Sequence, residues 1–261
     1  MTPSGPRGLV PHTHEDRRRI LERLVTQLNR RFGANLIAVA ATGSFARGDD
    51  GPWSDLEITV FLHEPPKGAI GIGSIHKGML IEVIWTTKDA WLDMVCRKPG
   101  HDWHLAGSDR LQPVVNAQFI SALKAEAEKV TRAQCRDLIP RHWRQAQEAT
   151  GKVLKAAALG DREGLSLVYP DMVRLVLITL AVLNARPFTT FVRMIAEARG
   201  FDMLPASFEA MVEALRGGYD DPPAISVLAL GVFEEVEGLL ELAGLELYED
   251  DLSAFDEDVD V

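Results

Sequence analysis

The chain has 261 residues, 46% of them hydrophobic and 25% charged, which is the length of one or two domains with ample core and excludes a disordered or fibrous protein. Its formal net charge is −10, which argues against a broad nucleic-acid footprint, since that needs a basic surface, and suits a cationic small partner better. Cys96 and Cys135 have no second cysteine at metal-ligand spacing and read as buried free thiols of a reducing compartment.

No signal-peptide core opens the sequence and no apolar run reaches membrane-spanning length, so the expectation is a cytoplasmic protein with no membrane partner. Residues 1–11 are Gly/Pro-rich and loose. Thr13 caps a helix, with Asp16 three residues on. Ile20, Leu21, Leu24, Val25, Leu28 and Phe32 recur at helical spacing, and Gly33 and Asn35 end it. Arg17, Arg18 and Arg19 are adjacent, fan out around this helix and read as a solvated face.

Residues 36–41 are β-branched and apolar and read as a strand. Gly43-Ser44 breaks it and opens a short helix, a turn at which backbone N–H groups can meet a phosphate closely. Arg47, one turn on, is placed for the same anion. Gly51-Pro52 marks a turn before a second strand over 57–62. Asp55, Glu57 and Thr59 take one face; Leu56, Ile58 and Val60 take the other. Two carboxylates beside a phosphate-sized turn are the chemistry of a metal–nucleotide site, because hard oxygen ligands suit Mg²⁺.

Residues 65–73 are Pro/Gly-rich and read as a link. Gly71-Ile72-Gly73 lacks the full glycine pattern and βαβ context of a dinucleotide site and reads as a flexible turn. The third strand spans 79–85, with Glu82 its only charge. A lone buried carboxylate is costly or stays protonated unless it meets a cation, and a metal at Asp55 and Glu57 would be that cation. The alternative places Glu82 on the solvent face of an edge strand. Residues 88–95 look helical. His101-Asp102-Trp103-His104 lacks further ligands and reads as a loop with Trp103 packed inward. Residues 111–115, with Pro113, read as a short edge strand.

The composition changes at 117, so the domain boundary is expected near Asn116. The chain is then α+β: an N-terminal mixed-sheet domain over 1–116 and a helical bundle over 117–261 that ends in an acidic tail. Helices are expected over 117–130, 132–139, from Pro140 to 159, and over 170–185, 207–215 and 223–242. The one at 170–185 is apolar nearly all round and forms the bundle centre. Thr189 or Thr190 caps the helix after the loop at 184–190. Glu148 and Lys152 lie four apart on one helix and, by themselves, read as a surface ion pair.

The run from Gly43 to Glu57, Gly-Ser-x-x-Arg-x-x-Asp-Gly-Pro-aromatic-Ser-Asp-hydrophobic-Glu, resembles the signature of the polymerase-β-type nucleotidyltransferase superfamily, and in its local form the kanamycin nucleotidyltransferases. Members transfer a nucleoside monophosphate from an NTP to a hydroxyl of an aminoglycoside. The resemblance implies Mg²⁺ and ATP or another NTP as co-substrate. It implies Asp55, Glu57 and the later-strand acid Glu82 as metal ligands, and Gly43, Ser44 and Arg47 as the nucleotide contacts. The helix bearing Glu148-Ala-Thr-Gly-Lys152 resembles that family's second-domain helix, which implies Glu148 as general base and Lys152 as a phosphate contact. Arg144 departs from the pattern, standing where the family carries an acid, so the antibiotic itself is left open. The resemblance also implies a homodimer whose sites draw on both subunits and a cationic aminoglycoside as partner, while the expectation of no nucleic-acid partner rests on the net charge. Other acceptors (a lincosamide, a metabolite, a protein or an RNA hydroxyl) and a non-catalytic nucleotide-binding module remain the alternatives.

Overall fold

The protein is described by a computed structural model over residues 8–67, 71–98, 100, 111–129 and 131–248. The expected loop at 101–104, and the acidic tail from 249 on, lie outside the described residues. The chain forms two units: Met1–Cys135 with Pro187–Met194, and Arg136–Arg186 with Ile195–Val261.

In the first unit, α1 (His14–Phe32) starts where the sequence says. The Thr13 side chain accepts from the Asp16 N–H while Asp16 reaches back to the Thr13 backbone, a capping box worth about 1 kcal/mol. β1 (Leu36–Ala41), α2 (Gly43–Arg47) and β2 (Leu56–Leu62) follow, then β3 (Gly71–His76) and β4 (Met79–Thr86). α3 (Lys88–Leu92) runs on into a π-helical turn over Asp93–Arg97, and β5 (Gln112–Val115) leads to α4 (Ala117–Ala127). The sheet order is β3-β4-β2-β1-β5, with β2 and β4 parallel and the other pairs antiparallel, so the sheet is mixed.

One face of the sheet carries Val39, Leu56, Ile58, Val60, Ile81 and Val83 and packs on Leu21 and Leu28 of α1. This is the β2 alternation read from the sequence. The other face presents Ala38, Ala40 and Phe61 to Trp91 and Leu92 of α3 and to Ile120 and Leu123 of α4. That second contact explains why α4 belongs with the sheet unit and why the division falls at Cys135 rather than at the composition change near Asn116. The cover is incomplete on β4: Leu80 is 41% and Ile84 52% exposed.

β3 is a strand the sequence reading took for a link and a turn. Its Gly-Ile-Gly-Ser-Ile-His sequence has weak strand propensity. The turn lies further on, at Lys77 (φ 51) and Gly78 (φ 81), between the paired His76 and Met79, and both positive φ values mark a tight two-residue hairpin. Gly71 is required within β3, since a Cβ there would lie 2.5 Å from the Val83 carbonyl oxygen.

The second unit is helical. α5 (Arg132–Arg136) leads into it, and α6 (Ile139–Ala158) and α7 (Arg162–Leu183) form its centre, with α8 (Met194–Ala198), α9 (Phe208–Ala214) and α10 (Pro222–Leu242) after them. Trp143 of α6 stacks on Phe233 of α10, ring centroids 4.4 Å apart. α7 begins at Arg162 behind its cap Asp161, well before Pro170, the start that the proline predicts. An interior proline costs about 3 kcal/mol. Burial of Leu165, Tyr169, Met172 and Val173 on either side offsets it. Contrary to the sequence expectation, α7 is long and apolar enough to cross a membrane, but 67% of its apolar window is buried inside the protein, as in a core helix.

Candidate active site

β1 delivers the chain to the turn at Gly43. There the Thr42 N–H donates to the Glu57 carbonyl at 3.0 Å, locking the turn onto β2. Gly43 has φ +66, and a Cβ on it would lie 1.7 Å from Glu57 Oε2. Only glycine satisfies both the backbone conformation and the close approach of this carboxylate. Gly43→Ala is therefore expected to push the Glu57 side chain aside. The expected result is a loss of about 10–100-fold in Mn²⁺ affinity, the scale of disturbing the support of a metal ligand. Titration calorimetry checks it, and an unchanged affinity would take Glu57 out of the site.

Asp55 stands just before β2, Glu57 is its second residue, and Glu82 is the parallel register partner of Glu57 on β4. One oxygen from each of the three carboxylates lies within 4.8 Å of the others. Three negative groups this close repel unless a cation joins them, and an all-oxygen donor set on rigid strands fits a hard divalent ion. Glu82 is not the fully buried carboxylate that its strand pattern predicts. β3 covers the outer edge of β4, and Glu82 lies half-buried on the same face as the exposed Leu80 and Ile84. It meets Asp55 and Glu57 through strand register, not through desolvation.

Arg47 sits at the end of α2, where its guanidinium bonds Asp49 at 3.1 Å and donates to the Thr189 carbonyl at 3.3 Å. Thr189 belongs to Pro187–Met194, the returning piece of the first unit. The segment read as a helix-capping loop thus supports the signature helix, and the Thr190 side chain makes no capping bond.

Arg17 was read as part of a solvated face; its side chain is 0% exposed. It donates to the carbonyls of His12, Gly51 and Ser54 and to Asp50 Oδ2 at 2.9 Å. Sequence adjacency hid this, because three arginines in a row on a helix must point in different directions and one of them points inward. Asp50, the Asp that precedes Gly-Pro in the quoted signature, also accepts from His14 Nδ1 at 2.7 Å.

Glu148 and Lys152 lie in the second unit, one turn apart on α6, joined by a 2.8 Å ion pair. Both are exposed, and the hydrogen bond to Glu148 raises the Lys152 pKa above its ordinary value. They line a cleft of about 180 Å³ with Gln145, Asp171 and Arg174. The sequence-identified residues therefore fall into two sets: Gly43, Ser44, Arg47, Asp55, Glu57 and Glu82 in the sheet unit, Glu148 and Lys152 in the helical one.

The first unit is thus a mixed sheet bearing a Gly-Ser turn and three carboxylates, Asp55 just before β2, Glu57 on β2 and Glu82 on β4, and the chain goes on into helices. The fold is nucleotidyltransferase-like: the chain is similar to a solved structure of a nucleotidyltransferase-like protein from Exiguobacterium sibiricum 255-15, with a TM-score of 0.51 and 10% identity, over 85% of this chain and 75% of that one. At that identity the likeness is one of fold. No protein-family model matches the sequence, and no curated protein matches it.

Proposed function

We propose that the protein transfers AMP from ATP, or the equivalent group from another NTP, to a hydroxyl of an aminoglycoside such as kanamycin. The observation that carries this reading is the convergence of Asp55, Glu57 and Glu82 beside the Gly43 turn, on a fold shared with a nucleotidyltransferase-like protein. The formal net charge of −10 supports a cationic acceptor.

In this reading Gly43 and Ser44 hold phosphate oxygens at the start of α2, and Arg47 neutralises charge there. Asp55, Glu57 and Glu82 would hold Mg²⁺, which when bound supplies charge neutralisation on the α-phosphate and the departing pyrophosphate. Lys152 is assigned as a further phosphate contact. Glu148 takes the proton of the acceptor hydroxyl, whose oxygen bonds to the α-phosphorus as the bond to the pyrophosphate oxygen breaks. The functional form is a homodimer in which each site draws on both subunits.

The test is direct. The protein is incubated with ATP, Mg²⁺ and kanamycin, and the products are weighed by mass spectrometry. The expected result is kanamycin heavier by one AMP unit, with pyrophosphate released. An adduct only on a lincosamide or another hydroxyl compound keeps the chemistry and discards the aminoglycoside. ATP binding with no adduct on any acceptor supports a non-catalytic nucleotide-binding module instead.

A further inference from the structure

The loop that delivers Asp55 is short, rich in turn residues and held from one side by a single buried cation. Arg17 is 0% exposed and its partner Asp50 2%. The guanidinium donates twice to the Ser54 carbonyl, at 3.0 and 2.6 Å, and once to the Gly51 carbonyl, at 2.7 Å. Ser54 is the residue immediately before Asp55. The remaining nitrogen bonds Asp50 Oδ2 at 2.9 Å and the His12 carbonyl at 3.2 Å. The other Asp50 oxygen accepts from His14 Nδ1, and the His14 ring stacks on Phe45 of α2 at 4.5 Å. The first turn of α1 thus touches both halves of the site: the loop before Asp55 and the helix after Gly43. A buried ion pair adds little stability over an apolar pair of the same size. Keeping one here makes physical sense if its directional bonds fix a geometry, since a guanidinium fork holds planar acceptors in one orientation.

We infer that the Arg17–Asp50 pair is a positioning device for the carboxylate site, with Arg17 fixing the backbone that aims Asp55 and Asp50 linking that backbone to the Gly43 turn. This rests on the metal reading of Asp55, Glu57 and Glu82. Arg17 acts on the site through the Gly51 and Ser54 carbonyls, to which its guanidinium donates.

The test uses the full chain with Asp50→Asn and Arg17→Lys, and Arg18→Ala as a control on the exposed neighbour. Mn²⁺ affinity is read by electron paramagnetic resonance, and amide hydrogen exchange is followed over residues 51–57. Both altered chains are expected to bind Mn²⁺ about 10–100-fold more weakly and to exchange faster over 51–57, while Arg18→Ala matches the unaltered chain. Saturating Mn²⁺ should slow that exchange again, which a merely structural defect would not allow. Should both altered chains fail to fold, the unaltered chain decides. Because coupling is reciprocal, Mn²⁺ should raise protection of 51–57 and of the first turn of α1 together. Mn²⁺ affinity within twofold of the unaltered chain in folded Asp50→Asn, or protection by Mn²⁺ that leaves the first turn of α1 unchanged, overturns the inference. A different result, no Mn²⁺ binding by the unaltered chain, would overturn the metal reading itself.

Discussion

Asp55→Asn is expected to remove nucleotidyl transfer almost entirely, by on the order of 10³-fold or more, the scale of deleting one preorganised charge-stabilising group. The substitution keeps the side chain's size and removes its charge. Without a divalent ion the altered chain should melt no lower than the unaltered one, because Asp55 stands half-buried ahead of β2 and asparagine keeps its size. With Mg²⁺ and ATP the order should reverse, since only the unaltered chain gains stability from binding. A thermal scan with and without Mg²⁺–ATP, beside the mass assay, reads both. Full turnover in Asp55→Asn would remove the carboxylate cluster from the mechanism.

Glu148→Gln should behave differently. Turnover is expected to fall by about 10²–10⁴-fold, the usual contribution of a general base, with Mg²⁺–ATP binding retained. The melting temperature should hold, because the Glu148–Lys152 pair is exposed on α6 and exposed pairs add little. The comparison of the two substitutions separates the roles: Asp55→Asn loses nucleotide stabilisation, Glu148→Gln loses only the chemical step. Normal turnover in Glu148→Gln would leave the pair as the surface contact that its spacing alone suggests.

What the sequence made legible follows a physical line. The local signals of α1 and β2 hold. The Thr13–Asp16 capping box is a matter of three residues, and it forms. The alternation of Asp55, Glu57 and Thr59 against Leu56, Ile58 and Val60 follows from strand geometry, and the apolar set packs on α1. Signals that depend on the third dimension were not legible. Glu82 was included for the wrong reason, since periodicity cannot tell which face of β4 a covering helix reaches. β3 was lost because its glycines read as turn, although Lys77-Gly78, followed by the apolar run of β4, is the better hairpin signal. Arg17 was lost because a charge on a helix is solvated unless a particular loop comes back over it, and that loop lies 33–37 residues further on. The composition change at 117 marks where the strands end, not where the sheet stops needing helices, since α4 packs on it.

The return of Pro187–Met194 to the sheet unit governs how the protein can be dissected. The polypeptide passes between units at Cys135/Arg136, at Arg186/Pro187 and again at Met194/Ile195. No single cut separates them. A fragment ending at Cys135 would lack the Thr189 carbonyl that Arg47 donates to, and a fragment beginning at Arg136 would carry an orphaned piece of its neighbour. Independent expression of the halves, or exchange of the helical half for that of another protein to alter acceptor choice, would have to carry this excursion across as a separate graft.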